Sequence, residues 1–278
     1  MGLAGGQCVV RFQNTTTGIQ ARGLILRLAD LSAWLVVSRV TQLRSSVIGK
    51  DIVLSRQSNS RDRYLERASK QYHLAFANPK NVGESAVING RMYLTDHGIG
   101  TMAIAKAYSL GVVINPLAGD ERFTGWLSIP YLTPRGVKGI RFRNLSGNEP
   151  KIGQHPGQPG RLYNTKAYFA DSSVIGIAEG EIDAITATEV LGLPTMAVPG
   201  SQMWAAHKGI WAPLFKNFRT VLILADGDQA GKDLADQISE SLKLRARVID
   251  MPPGEDVSSM VAKGRAEELI KQFDRDEE

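Results

Sequence analysis

Residues 174–183 read VIGIAEGEID and residues 220–232 read TVLILADGDQAGK. Each stretch opens as a short apolar run and then breaks into a glycine flanked by carboxylates. A helical pattern follows each break. The first, Glu181 to Leu191, is stopped by Gly192 and Pro194; the second, Ala230 to Leu242, is amphipathic. Thr195 to Val198 and Ala246 to Asp250 repeat the short strand pattern. Gln202 to Phe215, interrupted at Pro213, and Val257 to Phe273 add further helix. Continuously apolar strands alternating with helices predict a parallel sheet covered on both faces.

On such a sheet the loops after the strand carboxyl ends gather at one edge, where ligands bind. Glu179 follows the first strand, with Asp183 four residues later. Asp226 and Asp228 follow the strand 220–225, and Glu255 and Asp256 follow the strand 246–250 beyond Pro252-Pro253-Gly254. Three acidic sets therefore converge. Carboxylates held together repel, and a hard divalent cation with oxygen ligands offsets the repulsion. Gly227 permits a tight turn between the two aspartates, and Gly180 and Gly231 permit close approach at the strand–helix junctions. Taken singly, an acidic residue at a helix start is an ordinary cap or dipole partner, and for Asp183 and Asp233 that reading stands beside the first.

The chain has 278 residues, about two domains' worth, and is 43% hydrophobic. Its charge is partitioned. Residues 1–80 carry 12 basic and 4 acidic side chains, residues 81–178 carry 10 and 6, and residues 179–278 carry 11 and 18. A basic front and an acidic rear fit a polyanion on one side and a metal-demanding site on the other. Between them, residues 61–76 have helical spacing, and Gly100 to Leu110 reads as a second helix with Gly111 as its C-cap. Trp126 to Tyr131 and Val137 to Leu145 read as strands around a turn at Pro134–Gly136, and Pro150 to Gly160 as a loop. Arg141 and Arg143 share one outward strand face, open to phosphate or to water. Tyr131, Phe142 and Tyr163 are candidates for base stacking, with plain strand packing the favoured reading. The lone Cys8 excludes an internal disulfide and any zinc site needing two cysteines. The run Leu24 to Val37 carries Arg27 and Asp30 and suits neither a membrane span nor a signal peptide. A reducing, cytoplasmic setting is expected, and no GxxxxGK[ST] phosphate loop is present.

The motifs EGEIDAI (179–185), Pro199-Gly200-Ser201, DGDQAGK (226–232) and PPGEDV (252–257) resemble the TOPRIM domain, and in their longer form bacterial-type DNA primases, particularly bacteriophage relatives. Tyr93 to Asn115, Trp126 to Leu145, Pro150-Lys151 and Arg161 to Thr165 resemble the basic half of the primase polymerase region. The resemblance implies an α/β fold, a TOPRIM domain with a mostly parallel sheet flanked by helices, preceded by a mixed α+β basic subdomain. The implied divisions are an unassigned basic segment at 1–60, the basic subdomain at 61–170, the TOPRIM domain at 171–273 and an acidic tail at 274–278. It further implies RNA primer synthesis from ribonucleoside triphosphates on a single-stranded DNA template. In that scheme Glu179 lies near the metals or acts in proton transfer, Asp226 and Asp228 hold Mg²⁺ or Mn²⁺, and Asp183 and Asp256 are secondary acidic positions. Arg143, Lys151, Arg161 and Asn164 hold nucleotide and template, and Lys232, at a helix start where the dipole disfavours a cation, is a further candidate. The implied setting is the cytoplasm of a bacterial host, with a replicative helicase and a separate zinc-binding chain as partners and no zinc in this chain. A TOPRIM nuclease and a non-catalytic single-strand-binding assembly protein are the alternatives.

Overall fold

The computed structural model describes residues 60–273. The expectations placed on 1–59, Cys8 among them, and on the tail 274–278 lie outside these residues. A helix, α1, occupies 60–77 and buries Leu65, Ala68, Tyr72 and Phe76, as their spacing predicts. Two shorter helices follow, α2 (Ser85–Asp96) and α3 (Met102–Ala107). The first was not read from the sequence: its apolar stripe is weak, with Ile88 and Met92 left exposed. Gly111 is not a helix cap. It opens strand β1 (Gly111–Val112), where an added Cβ would strike the backbone of Tyr72 and His73. The left-handed turn falls instead at Ser109, φ 51°.

Strands β2 (Leu127–Thr133), β3 (Gly136–Arg143) and β4 (Ile152–Gln154) complete an antiparallel sheet in the order β1-β2-β3-β4. The β2–β3 hairpin closes at Thr133↔Gly136, and Gly136 takes φ 91°. Strand β4 lies where a loop was expected. Its three residues pair antiparallel with Arg141, Phe142 and Arg143, a run too short to stand out beside the prolines and glycines around it.

The rear third forms the predicted parallel sheet. Its strands are β5 (Val174–Ala178), β6 (Thr195–Ala197), β7 (Thr220–Leu224) and β8 (Ala246–Val248), in the order β6-β5-β7-β8 with every pairing parallel. The helices are α4 (Glu181–Glu189), α5 (Ser201–Trp211), α6 (Gln229–Leu242), α7 (Val257–Ala262) and α8 (Ala266–Phe273). Pro213 ends α5 into a 3₁₀ turn, and Gly264, φ 74°, divides the last helical stretch into two. Both sheet faces are covered. Along β7, Leu222 and Leu224 join a core with Phe76, Leu94, Leu127, Ile182 and Met260, while Val221 and Ile223 join a second core with Trp204, Phe215, Leu234 and Ile238. The first core runs from α1 through β2 to α4 and α7, so the antiparallel and parallel sheets share it. Among the described residues no helix is long and apolar enough to cross a membrane.

Candidate functional site

The parallel strands all point their carboxyl ends at one edge. The loop after β7 and the loop after β8 interlock there. Gly227 N–H donates to the Glu255 carbonyl at 2.8 Å, and Gly254 N–H donates to the Gly227 carbonyl at 3.0 Å. A Cβ on Gly227 would run into the Pro252 carbonyl, and one on Gly231 into the Asp226 backbone, so both glycines are required by close approach. This interlock delivers Asp226, Asp228 and Asp256 to the same place.

Several carboxylates also carry local duties. Asp228 is the N-cap of α6, its Oδ1 accepting from Gly231 N–H at 2.8 Å. Asp256 caps α7 in a reciprocal box with Ser259, accepting its N–H at 2.6 Å. Asp183 is buried, and its Oδ1 accepts the Ser258 N–H at 3.0 Å, tying α4 to α7. The capping reading was therefore right in part: it describes one oxygen of Asp228 and of Asp256. It leaves Glu179 and Asp226 unexplained.

Burial and mutual repulsion act on those two, and on Asp183 with them. Burial, together with the charges of Asp183, Glu179, Asp256 and Asp228, pushes the Asp226 carboxyl up to about 8. Burial and Asp256 raise Asp183, and burial and Asp228 raise Glu179. Glu179 Oε2 is buried with no hydrogen-bond partner. Among the described residues no three acidic, imidazole or thiol side chains already stand at ligating separation. The donor set is all oxygen, crowded, negative and short of cations, which is what a hard divalent ion fits.

The strand β3 faces this edge with two arginines whose fates differ. Arg141 Nη1 pairs with Glu181 Oε1 at 2.7 Å, and Tyr131 O–H donates to the same oxygen at 2.5 Å. Glu181 and Arg141 have only 6% and 17% of their side chains exposed, so this is a buried ion pair between the antiparallel sheet and α4. The outward expectation for Arg141 fails because the face it shares with Arg143 is turned to α4. Arg143 remains half-buried with its guanidinium 5.5 Å from the Tyr93 ring, and His97 packs against that ring at 4.1 Å. Tyr93 feels the charges of Arg143, Asp183, Glu181 and Asp256; burial first and then these acids raise its hydroxyl to about 12, against the lowering effect of Arg143. Tyr93 thus links the basic strand to the acidic edge, a role no spacing rule discloses, although it lies inside the stretch singled out by resemblance.

The remaining basic positions are dispersed. Lys151 is exposed beside the end of β3 and 3.9 Å from Glu149, and Arg161 and Lys232 are exposed. Asn164 has a structural duty, though its Oδ1 is buried and accepts no hydrogen bond. It is buried in a left-handed conformation, φ 52°, and its amide donates to Thr188 Oγ1 at 3.1 Å and the Thr195 carbonyl at 2.8 Å. Its donors are consumed in holding α4 against β6. Tyr131, Phe142 and Tyr163 are buried and pack in the interior, as the plain reading had it.

Residues 176–261 match the family model described as Toprim-like, so the parallel sheet and its acidic edge define a domain of that class. The Gene 57 protein of Mycobacterium phage D29 is 44% identical over 156 residues, covering 54% of this chain and 99% of the phage protein. The chain belongs to the family of that phage protein, with the fold of the bacterial primase catalytic core. The DNA primase of Salmonella typhimurium is 27% identical over 170 residues, 55% of this chain but 29% of the primase, so the chain spans under a third of that enzyme. The RNA polymerase domain of Mycobacterium tuberculosis primase DnaG, solved with a double-stranded DNA oligomer bearing an overhang, superposes with a TM-score of 0.61 at 19% identity, covering 78% of this chain and 80% of that one.

Proposed function

We propose that the chain is the catalytic part of a DNA primase, joining ribonucleoside triphosphates on a single-stranded DNA template in a bacterial host's cytoplasm. The observation that carries the reading is the group of uncompensated carboxylates at the parallel sheet's carboxyl edge, facing the arginine-bearing strand β3. In this reading residues 61–170 hold nucleotide and template and residues 171–273 carry the chemistry.

Glu179, Asp226 and Asp228 would hold Mg²⁺ or Mn²⁺, with Asp183 and Asp256 shaping the ground beneath them. The bound ion supplies charge stabilisation to the triphosphate and to the pyrophosphate that leaves. Glu179, raised by burial and by Asp228, suits a group that accepts the proton of the attacking 3′-hydroxyl. Arg143, its guanidinium on Tyr93 rather than spent on an acid, is the cation left to neutralise phosphate oxygens. Arg141 is already neutralised by Glu181 and serves position instead. Lys151, Arg161 and Lys232 are solvent-facing cations for the template backbone, so binding should weaken with salt. A replicative helicase and a zinc-binding chain in trans are the proposed partners.

The test is synthesis of labelled RNA on single-stranded DNA with Mg²⁺ or Mn²⁺, against an EDTA control. Short metal-dependent products from the wild type, lost in Asp226→Asn/Asp228→Asn with template binding retained, support the reading. Metal-dependent cutting of the template instead would replace it with a nuclease.

A further inference from the structure

Arg143 ends β3 beside the acidic edge, and its guanidinium makes no ion pair or hydrogen bond among the described residues. Two residues earlier on the same strand face, Arg141 is spent on Glu181. Arg143 has acids near it too, since Arg143, Asp183, Glu181 and Asp256 all act on the Tyr93 hydroxyl. A long, flexible cation in such company ordinarily closes onto a carboxylate. Arg143 lies instead over the Tyr93 ring, 5.5 Å from its centre, within the range at which a guanidinium is drawn to an aromatic face.

That ring is itself anchored. His97 packs against it and donates its Nδ1–H to the Tyr93 carbonyl at 2.7 Å. The His97 carbonyl in turn accepts from Thr186 Oγ1, on α4, at 3.3 Å. Gly98 follows at φ 74°, so close to Val261 on α7 that an added Cβ would strike it. The end of α2 is thus seated on α4 and α7, the two helices whose amino ends carry Asp183 and Asp256. The Tyr93 hydroxyl has no hydrogen-bond partner among the described residues, so the ring is what this side chain contributes. An arginine lying along an apolar surface is ordinary packing. Packing alone does not explain a cation left unpaired beside acids, over a ring fastened to the helices that bear those acids.

We propose that Tyr93 is the positioning residue for Arg143: it holds the guanidinium against its ring and away from the carboxylates, with the N–H groups free for the phosphates of an incoming ribonucleoside triphosphate. The proposal rests on the primase reading of this edge. Tyr93 acts through Arg143 and need not touch the nucleotide.

The test measures binding of mant-labelled ATP with Mg²⁺ to the full chain, beside KM for ribonucleoside triphosphates in RNA synthesis. Tyr93→Leu should weaken binding and raise KM about ten-fold, the size of a half-buried cation–π contact. Tyr93→Phe, which keeps the ring, should recover most of that loss. Arg143→Ala should weaken binding by about ten-fold or more, and adding Tyr93→Leu to it should cost less than about two-fold further. Affinity for single-stranded DNA, read by anisotropy, should change by less than about two-fold in Tyr93→Leu. Unchanged nucleotide affinity in Tyr93→Leu, losses that multiply in the double variant, or an equal loss of template affinity overturns the proposal. Circular dichroism checks folding. Should Tyr93→Leu not fold, Arg143→Lys keeps the charge and removes the planar group that stacks; loss of nucleotide affinity supports the proposal and full affinity overturns it. If the wild type shows this binding pattern but makes no RNA, the positioning role stands and the primase reading falls. RNA synthesis by the wild type with unimpaired nucleotide binding in Tyr93→Leu does the opposite, and no nucleotide binding by the wild type overturns both.

Discussion

Asp120 shows what a buried carboxylate costs when it is fully partnered. It has no exposed surface, and it accepts from Tyr72 O–H and pairs with His155 Nε2, both at 2.6 Å. Burial alone would raise its carboxyl, but the bonds from His155 and Tyr72 outweigh burial and hold it below the ordinary range. A carboxyl lowered on folding contributes stability above its unfolded value, and loses it as pH falls through the folded one. Asp120→Asn should therefore lower the melting temperature at neutral pH and flatten its fall below pH about 4, where the wild type loses the same contribution. An unchanged acid limb in thermal scans would contradict this. Asp226 is the opposite case, raised and short of partners. Asp226→Asn should stabilise the metal-free chain by about 1 kcal/mol and abolish the thermal shift produced by added Mg²⁺ or Mn²⁺. Both aspartates stand plainly in the sequence, yet only Asp226 was legible as a site residue, because its strand-end position is a local pattern. The partners of Asp120 lie 48 and 35 residues away.

Among elements, the contact between β3 and α4 fixes where the arginines go. Breaking the Arg141–Glu181 pair from one side strands the other charge beneath the sheet. Glu181→Met or Arg141→Met should each cost about 3 kcal/mol, and the double change to Met at both positions should cost less than the sum. Urea unfolding of the four proteins measures that coupling; additive losses would mean that the pair is not coupled. The interlocked loops after β7 and β8 invite a second test. Gly227→Ala drives a Cβ into the Pro252 carbonyl, so activity should fall by more than ten-fold, with a stability loss of about 1–3 kcal/mol. The parallel strands and their helices were readable from apolar runs and stop signals. Strand β4 and helix α2 were not, since three residues make no period and a weak stripe makes no face. Arg141 misled because alternation tells which face a residue takes, not what covers that face.

Across the whole described chain, one core passes from α1 and β2 to α4, β7 and α7. Hydrogen exchange on the full chain should therefore find the slowest amides of β2 and of β5 opening with similar free energies, as one cooperative unit. Two well-separated values would show that the sheets unfold independently. The charge division read along the sequence survives folding only in part, because Arg141 is consumed internally and a second basic group gathers in the acidic third, at Lys208, Lys216, Lys243 and Arg245. The shared core also bears on how the molecule can be cut. A break between residues 170 and 171, inviting on the basis of motifs alone, falls where the backbone crosses but not where the oil ends. A fragment starting there would lose Phe76, Leu94 and Leu127 from that core and lay bare the apolar surface they cover, a patch that invites association between fragments.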